Sequence, residues 1–220
     1  MSGIDNRSSG NPSPRRAMPA AITLGLALGL ILTACGGSGG QDKQAFGPDT
    51  CVAPTGARVQ DIDPEDSPVK PWQKPAGAEL VVEFETGKLS ADYAGKVTDA
   101  TAIWSKSSCL NAVAVETCSS GANCVSVVED DGRSRNTDGE MDWQGSGDYM
   151  ESATITLFTQ ALGRTTDNGA LATIVHEMGH ALGLDHRLNK SDVMNSVTGD
   201  DTNPVPDAVD FSNLAAIYGS

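Results

Sequence analysis

Every histidine of this 220-residue chain lies in one eleven-residue stretch, HEMGHALGLDH, which runs from residue 176 to residue 186. His176 and His180 are four residues apart, so a helix places them one turn apart on a single face. Gly183 follows three residues later, and a glycine can end a helix in a left-handed conformation and let the chain return His186 to the first two histidines. Three neutral imidazoles that leave a fourth position open are typical of a catalytic rather than a structural zinc site.

Glu177 directly follows the first candidate ligand and is the candidate for acid–base chemistry. Its carboxylate is well placed to bond a water on the metal, whose pKa zinc lowers to roughly 7. As a general base, Glu177 takes the proton while this water attacks a peptide carbonyl polarised by the metal, and it then passes the proton to the leaving amine. Chance is a poor explanation of the pattern, because Gly183 and His186 add two uncommon residues at fixed spacing.

The elements that must position these residues follow from hydrophobic periodicity. A helix is predicted from about residue 169 to residue 182, where apolar side chains recur at steps of three and four. Strands are predicted at 79–84, 111–117, 124–129 and 153–158, and further helices at 90–106 and 207–218. Residues 130–150 are acidic and Gly-rich and carry no strand in this prediction. The order of elements predicts an α+β fold with a mixed sheet and few helices.

The stretch from His176 to His186 fits the pattern HExxHxxGxxH throughout and resembles the zinc site of the metzincin endopeptidases. Metzincins also have a methionine turn beneath the zinc, and Met194, eight residues after the third histidine, resembles that of the matrixins. Residues 210–219, DFSNLAAIYG, resemble the matrixin C-terminal helix. The resemblance implies a zincin domain, in which a twisted mixed β-sheet is joined by an active-site helix and a C-terminal helix, and it implies zinc-dependent endopeptidase activity with Glu177 as the base.

The chain departs from the matrixin pattern in several places. Arg187 follows the third histidine, where matrixins usually have Ser or Thr and astacins have Glu, and Asn195 replaces the Tyr that often follows the matrixin methionine. By resemblance, Asp210 helps to hold the methionine turn, and a solvated acid at a helix start is the alternative interpretation. One zinc ion is predicted, because no histidine remains to build a second site. Cys51 lacks the motif of a cysteine-switch propeptide.

The resemblance also implies how substrate binds. In metzincins an extended substrate adds as a strand to a sheet edge above the zinc, and residues 139–150 are the first candidate for that edge. The pocket that sets specificity is expected after Met194, within residues 195–206. Its candidate residues are Ser196, Thr198 and Asn203.

Calcium is a second candidate ion, in the acidic stretch that precedes the fourth predicted strand. A solvated loop is the favoured alternative, because these acids do not match an EF-hand loop. The candidate calcium ligands are Asp130, Asp131, Asp138, Glu140 and Asp142.

The N-terminus predicts a bacterial lipoprotein. In residues 1–34 two arginines precede an apolar run, and the sequence LTACGG resembles a lipobox, which implies cleavage before Cys35 and lipidation of that residue. An ordinary signal peptide and an uncleaved anchor are the alternatives. We expect an exported protein held on the outer face of a bacterial membrane. Residues 35–76 are predicted as a lipidated Gly/Pro-rich tether and residues 77–220 as the zinc peptidase domain.

The charge of the chain excludes one class of partner. Removal of residues 1–34 takes away three arginines and one aspartate, which leaves 12 basic and 28 acidic residues and a formal charge of −16. Nucleic acid is not an expected partner, because there is no basic patch to neutralise phosphates. Solubility outside the cell is the simplest reason for such acidity.

The cysteines predict two disulfides, since four remain besides Cys35 in a chain that carries an export signal. A strand separates Cys109 from Cys118 by roughly 25 Å at ~3.3 Å per residue, whereas a disulfide needs Cα atoms within about 7 Å. Cys109–Cys118 is therefore the least favoured pair. Cys118–Cys124 is favoured, which leaves Cys51 to pair with Cys109.

The leading hypothesis is a lipid-anchored, extracytoplasmic zinc endopeptidase that acts as a monomer on protein or peptide substrates. The alternative is a non-catalytic surface lipoprotein that binds peptide or protein and uses zinc to hold its cleft. Glu177 argues against this alternative, because binding alone needs no general base. A surface structural protein is a third hypothesis, which predicts no cleavage and a fold unchanged by zinc removal.

Overall fold

The computed structural model describes residues 51–132 and 137–219, so the predicted signal peptide and Cys35 lie outside the described residues. The elements within the described part are β1 (Leu80–Glu85), α1 (Ala91–Trp104), β2 (Leu110–Val115), β3 (Asn123–Asp130), β4 (Gly139–Gln144), β5 (Ser152–Phe158), α2 (Thr159–Leu162), α3 (Asp167–Ala181) and α4 (Ala208–Tyr218). This mixed sheet with few helices confirms the predicted α+β fold.

The five strands form one sheet in the order β2-β1-β3-β5-β4. Neighbouring strands are parallel except for β4, which runs antiparallel to β5 and forms one edge of the sheet. β4 is absent from the predicted strands, although it lies within the predicted substrate edge, residues 139–150. The exposure of its side chains nevertheless alternates regularly. Glu140 and Asp142 are exposed, whereas Met141 and Trp143 are half-buried.

Helix α3 lies in the core of the domain and is buried along most of its length. Ala172, Val175 and Met178 are fully covered, which explains why the helix is apolar on more than one face. Trp104, at the end of α1, is also fully buried, and its indole N–H donates a hydrogen bond to the carbonyl of Val175 (2.9 Å). The helix that carries the candidate ligands therefore packs against α1 as well as against β4 and β5.

Both predicted disulfides are present, Cys51–Cys109 and Cys118–Cys124. The first attaches the segment before the sheet to Cys109, which directly precedes β2. No helix in residues 51–132 and 137–219 is long and apolar enough to cross a membrane.

Residues 51–76, the described part of the predicted tether, pack against the rest of the domain. Trp72 is 1% exposed, and its indole N–H donates to the carbonyl of Ala181 at the end of α3 (2.7 Å). The hydroxyl of Tyr218 accepts a hydrogen bond from the Trp72 backbone and donates one to Leu182. The segment has little regular structure, as expected for a proline-rich sequence, but buried contacts fix it to both α3 and α4.

Candidate metal centre

Helix α3 supplies two of the three histidines, and the way it ends supplies the third. Its first turn is capped by the hydroxyl of Thr166, which accepts from the Gly169 backbone. Gly183 has a φ of 93°, the left-handed conformation in which a side chain is strained. The Leu184 backbone N–H then bonds the Gly179 carbonyl (3.0 Å), which closes the helix and reverses the chain. His186 is thereby returned towards the helix.

The three imidazoles converge through their Nε2 atoms. The Nε2 of His180 is 3.1 Å from that of His176 and 3.1 Å from that of His186, and the remaining pair is separated by 3.3 Å. Bonds of about 2.05 Å to a tetrahedral zinc ion require nitrogen–nitrogen separations of about 3.3 Å. The donor set therefore fits zinc with three protein ligands and one open position.

The opposite nitrogen of each ring is fixed by a hydrogen bond. His176 Nδ1 donates to the carbonyl of Val193 (2.7 Å) and His180 Nδ1 to that of Leu184 (2.7 Å). His186 Nδ1 differs, because it donates to a carboxylate, that of Asp66. With all three Nδ1 atoms carrying the proton, each Nε2 presents its lone pair to the centre.

Burial keeps the two helical imidazoles neutral. Desolvation and the neighbouring imidazole of His180 lower the pKa of His176 well below its ordinary value. Desolvation, with His186 adding to it, lowers the pKa of His180 to about 4. Both rings are thus uncharged at neutral pH, the protonation state that binds a metal ion.

Glu177 is buried beside the cluster, with 6% of its surface exposed. Desolvation, together with the nearby charge of Glu140, raises the pKa of its carboxyl to about 8, and no hydrogen bond from the described residues stabilises the charged form. β4 approaches this side chain closely, since a Cβ atom on Gly139 would lie 3.0 Å from Cγ of Glu177. A glycine at that position leaves room for the carboxylate between α3 and the edge strand.

Met194 is fully buried beneath the helix, as the methionine turn of the resemblance requires. A Cβ atom on Gly179 would lie 2.9 Å from Cε of Met194, so the helix and the methionine meet at a position without a side chain. The turn contacts both ends of the histidine motif. Its Val193 carbonyl accepts from His176, and its Met194 carbonyl accepts from the backbone of Arg187, the residue after His186 (2.8 Å).

Arg187 links the methionine turn to the C-terminal helix. Its Nη1 lies 2.6 Å from a carboxylate oxygen of Asp192, 2.8 Å from Asp207 and 3.1 Å from Asp210. These three carboxylates converge closely enough to hold a cation, and the guanidinium lies among them. Asp210 is fully buried, and burial and Asp192 raise the pKa of its carboxyl to about 7. Its position agrees with the interpretation that it holds the methionine turn and not with a solvated acid.

Two residues of this centre are absent from the candidates of the sequence analysis. Arg187 was noted only as a departure from the family pattern, and Asp66 falls in the predicted tether. The position of Arg187, directly after a candidate ligand in a chain with abundant acids, indicates an ion pair near the site. For Asp66, the predicted Cys51–Cys109 disulfide indicates that the segment before the sheet packs against the domain.

The remaining predicted residues are not part of the histidine cluster. The five candidate calcium ligands form no cluster of three among the described residues, so the structure gives no support for a calcium site. Beyond the methionine turn, Ser196 lines a cavity of about 530 Å³. Thr198 and Asn203 line a neighbouring cavity of about 540 Å³.

The fold and the histidine cluster are those expected of the metzincin class of zinc metallopeptidases. The family model described as Matrixin matches residues 88–219, more than half of the chain. The chain belongs to the matrixin family, which confirms the resemblance inferred from its motifs. A comparison with curated proteins found no match.

Proposed function

We propose that the chain is a zinc-dependent endopeptidase in which His176, His180 and His186 hold one zinc ion and Glu177 is the general base. The convergence of three Nε2 atoms carries the proposal, because their spacing fits tetrahedral zinc and leaves one position open. Bound zinc supplies a Lewis acid that polarises the scissile carbonyl and activates water.

Glu177 performs the proton transfers in this proposal. Glu177 directly follows His176 on α3, and its carboxylate has no hydrogen-bond partner among the described residues, so in its charged form it can accept a proton from the attacking water. In the metal-free protein the burial of Glu177 raises its pKa and favours the protonated carboxyl, whereas a cation held by the histidines would favour the carboxylate that a base requires. The protonated carboxyl then passes its proton to the leaving amine. The buried surroundings, 6% exposed at this residue, also keep competing water away.

We propose that substrate binds as an extended strand along β4. Three observations support this: β4 is an edge of the sheet, it contacts α3, and its Gly139 lies against Glu177. Strand addition supplies main-chain hydrogen bonds that do not depend on substrate sequence. The cavity beyond the methionine turn, which Ser196 lines, is the candidate pocket for one substrate side chain.

We propose an exported protein anchored by a lipid on Cys35 to the outer face of a bacterial membrane. The lipobox-like sequence supports it, and so do two disulfides, which persist in oxidising compartments. Mass spectrometry of the N-terminal peptide tests the anchor, with Cys35→Ala as the variant expected to leave the membrane fraction.

The peptidase is tested by cleavage of an unfolded protein substrate. Wild type should cleave, stop on addition of a chelator and recover with zinc. Glu177→Gln should keep stoichiometric zinc and lose roughly 10²–10⁴-fold in activity. Glu79→Gln is the matched control, because Glu79 is exposed and outside the cluster, and it should match wild type. Equal cleavage by wild type and Glu177→Gln would overturn the mechanism, and zinc-dependent peptide binding without cleavage would favour the binding lipoprotein.

A further inference from the structure

A turn formed by residues 63–66 lies directly against the third histidine. The backbone N–H of Asp63 donates to the carbonyl of His186 (2.9 Å), and the carboxylate of Asp66 accepts from Nδ1 of the same histidine. The turn is closed internally, because the Asp63 carbonyl accepts from the Asp66 backbone (3.3 Å) and its carboxylate accepts from the Glu65 backbone (3.0 Å). The same turn thus contacts both the backbone and the ring of His186.

The flanks of this turn are attached to the domain on both sides. Before it, the carbonyl of Asp61 accepts from the Leu188 backbone (2.9 Å), and the Asp61 carboxylate pairs with the guanidinium of Arg187 (3.0 Å). After it, the backbone of Val69 donates to the carboxylate of Asp185 (2.7 Å). These attachments fix where the Asp66 carboxylate is presented.

His186 needs such support more than the other two histidines do. His176 and His180 are 5% and 8% exposed and belong to a buried helix, whereas the side chain of His186 is 25% exposed and follows the bend at Gly183. The helical histidines donate to backbone carbonyls, but His186 donates to a charged acceptor. A carboxylate on Nδ1 both orients the ring and makes Nε2 a stronger donor to a metal ion.

We propose that Asp66 is a positioning residue of the zinc site, which holds the ring of His186 and strengthens Nε2 as a ligand. The metal site then includes a turn that lies outside residues 88–219, the part of the chain that the matrixin model matches. The proposal rests on the zinc site of the proposed function, but it is independent of whether the bound metal cleaves peptide bonds.

The test measures the zinc dissociation constant of the full-length chain by competition with a chromophoric chelator. Asp66→Ala removes both the acceptor and the charge and should bind zinc about 10–100-fold more weakly. Asp66→Asn keeps an oxygen that accepts from Nδ1 but loses the charge, so its affinity should fall between Asp66→Ala and wild type. Glu65→Gln is the matched control, because it removes a carboxylate one residue away that forms no ion pair within the described part of the chain. It should bind zinc as wild type does.

Two further readouts separate positioning from general stability. In the presence of chelator, the metal-free Asp66→Asn and Glu65→Gln variants should unfold at the same temperature. The visible spectrum of the Co²⁺-loaded chain should change only in the Asp66 variants. The proposal would be overturned if the Asp66 variants bound zinc as tightly as Glu65→Gln does. It would also be overturned if their zinc affinity fell only in parallel with an equal loss of stability of the metal-free protein. If wild type binds zinc but cleaves nothing, the peptidase function fails while the role of Asp66 stands. If wild type binds no zinc, both fail.

Discussion

Replacement of Arg187 by methionine tests whether the guanidinium holds the methionine turn to the C-terminal helix. Methionine fills much of the space of the arginine stem but supplies neither charge nor hydrogen-bond donors. The change leaves Asp192 and Asp210, which are 4% and 0% exposed, without their buried cation. Removing one partner of a buried ion pair destabilises a protein by about 3–5 kcal/mol.

The ionisation of the two carboxyls gives an independent estimate of this loss. A buried carboxyl can escape the penalty by taking up a proton, which at pH 7 requires about 4 kcal/mol from an ordinary pKa near 3.9, at 1.36 kcal/mol per pKa unit. In the wild type the pKa of Asp210 is already raised to about 7 by burial, with Asp192 contributing. Most of the free energy needed to protonate Asp210 at pH 7 is therefore lost in the wild type as well and does not add to the effect of the variant. Burial also raises the pKa of Asp192 in the wild type, although Arg187 offsets part of this effect. The added loss therefore falls mainly on Asp192 and should be at most about 4 kcal/mol.

The same reasoning fixes the sign of the pH dependence. Loss of the Arg187 cation raises the folded-state pKa of Asp192 further above its unfolded value, so the destabilisation grows as the pH rises above the ordinary range of an aspartate. At pH 5, protonation requires only about 1.5 kcal/mol. The difference in unfolding free energy between wild type and Arg187→Met should therefore shrink from at most about 4 kcal/mol at pH 7 to at most about 1–2 kcal/mol at pH 5.

The assay is denaturant unfolding of the chelated proteins at the two pH values, so that metal affinity does not enter. Arg164→Met is the matched control, because Arg164 is exposed and its side chain makes no ion pair within the described residues. It should change the unfolding free energy by less than about 0.5 kcal/mol. A loss below about 1 kcal/mol for Arg187→Met, or a loss that is the same at both pH values, would refute the reasoning.

Two further predictions concern packing and covalent constraint. Gly179→Ala should lower the unfolding free energy, because the new Cβ would lie 2.9 Å from Cε of Met194. Overpacking of this kind costs about 1–3 kcal/mol, which exceeds the gain of at most about 1 kcal/mol from the higher helix propensity of alanine. Gly95→Ala, on α1 where nothing lies within 4 Å of the new Cβ, should instead stabilise, and equal effects of the two variants in chemical denaturation would contradict this explanation. The double variant Cys51→Ala/Cys109→Ala should lose about 4 kcal/mol, because the disulfide closes a loop of 58 residues, and an unchanged denaturation midpoint would count against that estimate.

Local patterns were sufficient to predict the helix that carries His176 and His180 and the bend that follows it. His176, Glu177 and His180 are specified by helical spacing, and Gly183 by the conformation that its position requires. The same kind of pattern predicts the buried parallel strands, which are apolar runs. β4 is an exposed edge with acidic residues and a glycine, so its propensity is low and only its alternation indicates a strand.

The outer part of the site could not be predicted from local patterns, because its partners are far apart in the chain. Asp66 and His186 are separated by 120 residues. Asp66 is one of four acids in residues 61–66, and acids in a proline-rich segment are expected to be solvated. The role of Arg187 likewise depends on acids supplied by the methionine turn and by α4. Such pairings are set by tertiary packing, which periodicity and propensity do not encode.

The long separation of these contacts also determines when the site can form during folding. The turn at Asp66 reaches His186 across 120 residues, and Gln60 bonds Asn213 in α4 across 153. Contacts of high sequence separation form late, because the entropy of closing a long loop must be overcome first. A refolding chain should therefore regain its helices before it regains tight metal binding, and zinc affinity would report the last native contacts to form.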